Sequence, residues 1–120
     1  MNWIKNNQRL FSASFIIVLV GITVLSLLPP RSTVDLGNND KLSHLFAYSV
    51  LTCNALVIQK FNSFKIWLLA LLLCYGGLME FLQGFVPGRE VSAWDLVANT
   101  SGVLIGFALI QLFEKANNKL

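Results

Sequence analysis

The sequence predicts an all-α, polytopic membrane protein in which four transmembrane helices form a compact bundle. Of its 120 residues, 55% are hydrophobic and 12% are charged, whereas a soluble domain usually carries about 25% charged residues. The mean hydropathy is +0.64. Four apolar segments each approach the roughly 20 residues needed to cross about 30 Å of hydrocarbon. They use most of the chain, so we expect residues 1–120 to form a single transmembrane domain.

The first predicted helix covers residues 11–28, where a continuous apolar run ends at Pro29 and Pro30. A secretory signal peptide is the competing interpretation. Its apolar region would span roughly 7–15 residues and lead to a small-residue cleavage site. The run here is longer and no such site follows it, so we expect a retained transmembrane helix.

Three further helices are predicted, at residues 41–59, 66–85 and 93–113. The second carries His44, Tyr48 and Asn54, so we expect it to face protein rather than lipid. The dipeptide Pro87-Gly88 is typical of turns. It predicts a hairpin that joins the third helix to the fourth.

The loops predict the orientation of the bundle. Six basic residues fall on one side and three on the other: Lys5, Arg9, Lys60, Lys65, Lys115 and Lys119 against Arg31, Lys41 and Arg89. The positive-inside rule then places both termini in the cytoplasm. Trp3 and Trp67 would lie at the inner interface and Trp94 at the outer one, as aromatic belts do.

The excess of basic residues also raises the question of nucleic-acid binding. The formal net charge is +3, but the basic residues are dispersed between apolar faces, which excludes a nucleic-acid-binding surface. Cys53 and Cys74 both lie inside predicted spans and form no CxxC or zinc-type spacing. We expect them to be small apolar filler rather than a disulfide.

Three predicted helices bring polar side chains to similar depths in the outer leaflet. Asp40, His44 and Tyr48 share one face of the second helix, because residues four apart are neighbours on a helix surface. The polar residues at this depth on the third and fourth helices are Glu80, Gln83, Asp95 and Asn99. An ionisable side chain at membrane depth is by default a candidate functional residue.

Each of these residues also has a structural interpretation. Asp40 and Asp95 can be first-turn acids that stabilise a helix dipole, Asp95 alone or with Ser92. Glu80 can form a structural ion pair with Arg89. Gly102 and Gly106, four residues apart, are typical of close helix packing.

Several chemistries suit this set of residues, and spacing alone does not choose among them. His44, Glu80 and Asp95 are candidates for general acid–base catalysis. Arg89, in an outer loop, is suited to holding a phosphate or carboxylate bidentately. One histidine makes a weak case for zinc, so we predict no metal site and no particular cofactor.

We predict that His44, Glu80 and Arg89 converge, with Asp95 and Asn99 beside them. A buried ion faces a penalty of several kcal/mol even after relaxation, so Glu80 needs a cation, a hydrogen-bond donor or its own proton. Arg89 follows only nine residues later in the chain. We therefore expect Glu80 to be ionised and paired.

Three motifs resemble VanZ-like membrane proteins: D-K-L-S-H-L-F-A-Y at 40–48, E-F-L-Q-G-F-V-P-G-R at 80–89 and S-A-W-D-L-V-A-N-T-S-G at 92–102. The resemblance covers residues 36–113. The matched positions are Asp40, Lys41, His44, Tyr48, Glu80, Gln83, Pro87, Gly88, Arg89, Asp95, Asn99, Gly102 and Gly106. The family takes its name from a protein associated with resistance to the glycopeptide teicoplanin, so the resemblance implies a bacterial inner-membrane protein in a cell-envelope and antibiotic-resistance context.

Together these observations predict a site open to the extracytoplasmic side. It would bind or modify an envelope component, a lipid-linked or anionic headgroup. Arg89 would contact the anion, and Asp40, Tyr48, Gln83 and Asn99 would help to bind it. Two alternatives stay open: a non-enzymatic scaffold whose polar cluster is structural, and a small transporter. Membrane lipid is the expected partner, and the sequence predicts neither an oligomeric state nor a reaction.

Overall fold

A computed structural model of the protein describes residues 2–29, 37–59 and 64–118. Its helices are α1 (Asn2–Asn6), α2 (Gln8–Leu27), α3 (Gly37–Ile58), α4 (Lys65–Gln83) and α5 (Ala93–Asn118). No strand occurs in the described part of the chain. Four helices, α2 to α5, are long and apolar enough to cross a membrane. The predicted all-α fold with four transmembrane helices is thereby confirmed.

The helix ends differ from the predicted ones mainly where polar residues flank an apolar run. α3 begins at Gly37 rather than near residue 41, α5 continues to Asn118 rather than 113, and the short helix α1 precedes α2. Apolar residues mark where hydrocarbon begins and ends, but backbone hydrogen bonding continues beyond that point. α4 instead ends earlier, at Gln83, because the turns of the hairpin begin there.

Contacts between helix ends show that neighbouring helices run in opposite directions. Lys65, at the start of α4, pairs with Glu114 near the end of α5 at 2.8 Å. The Gln8 side chain at the start of α2 donates to the Val57 carbonyl near the end of α3 at 3.4 Å. One end of the bundle therefore carries both chain termini, and the opposite end carries the Pro87-Gly88 hairpin.

The interface between α3 and α5 is the most extensive in the bundle, and it is built on two glycines. A Cβ atom at Gly102 would lie 2.6 Å from the Leu45 carbonyl oxygen, and one at Gly106 would lie 2.7 Å from the Ser49 carbonyl oxygen. The Ser49 hydroxyl crosses this close contact to the Gly102 carbonyl at 3.1 Å. These glycines thus have the predicted packing role, and the helix they pack against, α3, belongs to the same chain.

Polar side chains lie inside the bundle, and large apolar ones cover its outside. Thr52 and Asn99 are fully or almost fully buried, whereas Phe46, Trp67 and Phe81 are exposed. Asn54 donates to the Ser14 hydroxyl of α2 at 2.8 Å, which agrees with the prediction that α3 faces protein. This distribution suits helices surrounded by lipid, where interhelical hydrogen bonds and close packing hold the bundle together.

Candidate functional site

The hairpin between α4 and α5 contains a tight turn at residues 86–89. The Arg89 N–H donates to the Val86 carbonyl at 3.1 Å, and Gly88 has a φ of 81°. Proline at the second position and a positive φ at the third are the features of a type II turn, and the positive φ explains the glycine. The turn places Arg89 immediately after its sharpest point.

Arg89 lies against the carboxyl end of α2. Its Nε donates to the Leu28 carbonyl at 2.7 Å and one Nη donates to the Leu25 carbonyl at 3.0 Å. These carbonyls belong to the helix end that lacks intrahelical donors and carries partial negative charge. A guanidinium has five N–H donors, so three have no partner among the described residues.

The expected ion pair between Glu80 and Arg89 is wrong. Glu80 is buried, with 3% of its surface exposed, and one carboxylate oxygen accepts the Ser92 backbone N–H at 2.7 Å. In the described chain, the Arg89 guanidinium donates only to the α2 carbonyls. The carboxylate thus lies at the amino end of α5, where the helix dipole favours negative charge.

His44 and Asn99 form the hydrogen bond that joins α3 to α5 at this depth. His44 Nδ1 lies 2.9 Å from Asn99 Oδ1, and Asn99 Nδ2 makes a long, 3.5 Å bond to the Gly76 carbonyl of α4. With the amide oriented in this way, Nδ1 carries the imidazole proton.

Tyr48 packs in the centre of the bundle beside Gly76. A Cβ atom at Gly76 would lie 3.2 Å from the Tyr48 ring, so the glycine makes room for the tyrosine. Tyr48 is 1% exposed, and its hydroxyl has no hydrogen-bond partner among the described residues. The buried Gln83 Nε2 likewise lacks a partner there. Such atoms are rare in folded proteins and often mark an unseen water or ligand.

His44, Tyr48 and Arg89 line one cavity of about 290 Å³ near the hairpin end of the bundle. The remaining walls come from α2 and α3 and are formed by Ile22, Leu25, Ser26, Ser43 and Ala47. Three predicted binding or catalytic residues therefore meet at one cavity. Asn99 stands behind His44 and holds it.

The two serines of the cavity were missed by the sequence analysis. Ser26 is buried and lies near the carboxyl end of α2, at the depth of His44. Its position was the available signal, since the first helix ends on the same side of the membrane as the hairpin.

Asp95 and Asp40 take positions in the first turns of α5 and α3. Asp95 is half-buried, its N–H lies 3.4 Å from the Ser92 hydroxyl, and it is not among the residues that line the cavity. This placement agrees with the first-turn interpretation. The Asp40 side chain lies outside the described residues. Within those residues, no three His, Cys, Asp or Glu side chains are grouped to hold a metal ion.

Comparison with known proteins gives two matches of different kinds. A family model described as VanZ/LLP1 matches residues 3–114. An uncharacterized protein of Schizosaccharomyces pombe is 30% identical over 106 residues, which cover 86% of this chain and 64% of that protein. The chain thus spans less than two thirds of the length of this curated relative. No solved structure matches the chain.

Proposed function

Because the chain belongs to the VanZ/LLP1 family and has four helices able to span a membrane, we propose that it binds the anionic headgroup of a membrane lipid or lipid-linked envelope component. The binding site is the cavity between α2, α3 and the hairpin. We propose further that this end of the bundle faces the extracytoplasmic side. Binding of such a lipid-linked component would then be the basis of the glycopeptide resistance that the family resemblance implies.

The convergence of three side chains on the cavity carries this proposal. Arg89 brings a charge and three N–H donors that no described residue uses. Tyr48 brings a buried hydroxyl without a partner in the described chain. An anionic oxygen in the cavity would pair with the guanidinium, since charge-assisted hydrogen bonds from arginine to phosphate or carboxylate are among the stronger ones.

The shape and walls of the cavity favour a lipid over a free anion. Ile22, Leu25 and Ala47 supply apolar wall next to Arg89 and His44. A volume of about 290 Å³ is close to the lower limit for small-molecule sites, roughly 300 Å³. It suits a headgroup whose chains remain in the surrounding bilayer.

His44 is the residue that we propose for proton exchange with the bound headgroup. Asn99 holds its ring through Nδ1 at 2.9 Å, and the imidazole lines the cavity. A base held by an amide or carboxylate is a recurring arrangement in acid–base catalysis. Catalysis would require a modified headgroup as product, whereas binding alone requires only the cavity.

The test compares two lipids with the same acyl chains and different headgroup charge. Purified, delipidated protein is titrated with dioleoyl phosphatidylglycerol or dioleoyl phosphatidylcholine while its melting temperature is measured. We expect the anionic lipid to stabilise the wild type at lower concentration. Arg89→Gln should lower the affinity for the anionic lipid by about tenfold or more, since hydrogen bonds to charged groups contribute roughly 1.5–3 kcal/mol.

Lys115→Gln is the matched control, because Lys115 is an exposed cation at the opposite end of the bundle. It should keep the preference of the wild type. Glycerol 3-phosphate, which has the phosphate but no chains, should bind far more weakly than the lipid. Equal affinity of the wild type for both lipids would refute anion binding and favour a scaffold whose polar cluster is structural.

A further inference from the structure

We infer that Glu80 is a positioning residue that caps α5 from α4 and so fixes the hairpin carrying Arg89. Residue type and spacing in the sequence did not predict this role. They made Glu80 a candidate for acid–base catalysis. The capping follows from geometry alone. Only its consequence for the cavity rests on the proposed function.

The start of α5 contains half of a capping box. In that motif, the side chain at the N-cap accepts the N–H three residues on, and the side chain at that third position accepts the N-cap N–H. Ser92 supplies the first bond, to the Asp95 N–H at 3.4 Å. The local candidate for the second bond is the Asp95 carboxylate, which is three residues from Ser92.

The second bond is instead made by Glu80, which is 12 residues earlier in the chain. Its Oε1 lies 2.7 Å from the Ser92 nitrogen, a short distance typical of a charge-assisted bond. Glu80 is 3% exposed, so little water competes for the bond. A helix-end N–H that would otherwise lack a partner is thereby tied to a different helix.

This bond closes the hairpin at its base. Inside the loop so formed, the two sides are in close contact: a Cβ atom at Gly84 would lie 2.6 Å from Val91 Cγ2. On the outer side, Arg89 is held by the Leu28 and Leu25 carbonyls. The segment from Glu80 to Ser92 is therefore fixed at its base by Glu80 and near its tip by Arg89.

Capping and acid–base catalysis predict opposite results for one substitution. Glutamine keeps a side-chain oxygen that accepts the Ser92 N–H, but it cannot exchange a proton as a carboxyl group does. Methionine has similar volume and offers no such acceptor. If Glu80 caps α5, Glu80→Gln should behave like the wild type and Glu80→Met should not. If Glu80 is an acid or base in catalysis, both variants should lose activity, because neither has a carboxyl group to exchange a proton.

The measurement is hydrogen exchange at the Ser92 amide, followed by NMR on detergent-solubilised protein with isotope-labelled serine. We expect Glu80→Met to speed this exchange by about tenfold or more, the loss expected for a hydrogen bond to a charged group. Glu80→Gln should retain most of the protection. Asp95→Ala is the matched control: it removes the local acid and should leave exchange at Ser92 unchanged.

Three outcomes overturn the inference. They are unchanged exchange at Ser92 in Glu80→Met, equal loss of protection in Glu80→Gln, and loss of protection in Asp95→Ala. If Glu80→Met does not fold, Glu80→Ala makes the same comparison.

The lipid titration is a separate test of the effect on the cavity: Glu80→Met should reduce the preference for the anionic lipid and Glu80→Gln should keep it. A wild type without that preference refutes the proposed function, while the exchange data still decide the capping role.

Discussion

Asn99 links three helices through one side chain. It accepts a hydrogen bond from His44 of α3 and donates to the Gly76 carbonyl of α4 while itself belonging to α5. It is 2% exposed, so water does not replace either bond. The imidazole at the cavity therefore depends on an amide that does not line the cavity itself.

We predict that Asn99→Leu destabilises the protein. Leucine has a similar volume but leaves the His44 N–H without its acceptor, and a buried polar group that loses its partner costs about 1–3 kcal/mol. The melting temperature in detergent should fall by several degrees. Asn118→Leu, at the exposed end of α5, is the control. Equal melting temperatures for the two variants would mean that the His44–Asn99 bond contributes no stability.

Between helices, the approach of α5 to α3 depends on the absence of two side chains. The hypothetical Cβ at Gly102 meets backbone, the Leu45 carbonyl oxygen at 2.6 Å, and backbone inside a helix has little freedom to move. A Cβ at Gly77 of α4 meets nothing within 4 Å. The chain thus offers one glycine required by packing and one that is not.

We predict opposite effects of alanine at these two positions. Gly102→Ala should destabilise the bundle by about 1–3 kcal/mol, the usual cost of overpacking a core. Gly77→Ala should be neutral or stabilising, because alanine is favoured over glycine in helices by about 1 kcal/mol. Thermal unfolding of the detergent-solubilised variants distinguishes them. A Gly102→Ala protein as stable as Gly77→Ala would show that α3 and α5 can separate at no cost.

The whole bundle is asymmetric in charge along its axis. Lys5, Arg9, Lys65 and Lys115 lie toward the end with the termini, and Lys41 and Arg89 lie toward the hairpin end, where Arg89 lines the cavity. Basic residues beside membrane spans are retained in the cytoplasm. This asymmetry is the basis for placing the cavity on the extracytoplasmic side.

Cysteine labelling tests this orientation. In a background with Cys53→Ala and Cys74→Ala, one cysteine is introduced as Glu90→Cys at the hairpin or as Asn118→Cys at the end of α5, both exposed positions. A membrane-impermeant maleimide should label the cysteine at position 90 in intact cells. It should label the one at position 118 only after permeabilisation. The reverse pattern would put the cavity in the cytoplasm.

The fold class followed from the sequence because its determinants are local. Apolar run length predicts a span, Pro87-Gly88 predicts a turn, and residues four apart share a helix face. These properties do not depend on distant parts of the chain. Depth below the hairpin also predicted that His44 and Arg89 converge, since antiparallel helices joined by short loops bring equal depths together, and both line the cavity. Glu80, which was predicted to join them, does not line it. The family resemblance, confirmed by the match over residues 3–114, rests on the same residues.

The partners of the charged groups were decided by the tertiary structure. From side-chain types and their separation along the chain, Glu80 was expected to pair with Arg89. In the bundle, Glu80 bonds the Ser92 N–H and Arg89 bonds carbonyls of α2. Helix ends present unpaired backbone donors and acceptors with partial charge, and every sequence contains these groups. Which of them a buried side chain reaches is determined only when the helices pack.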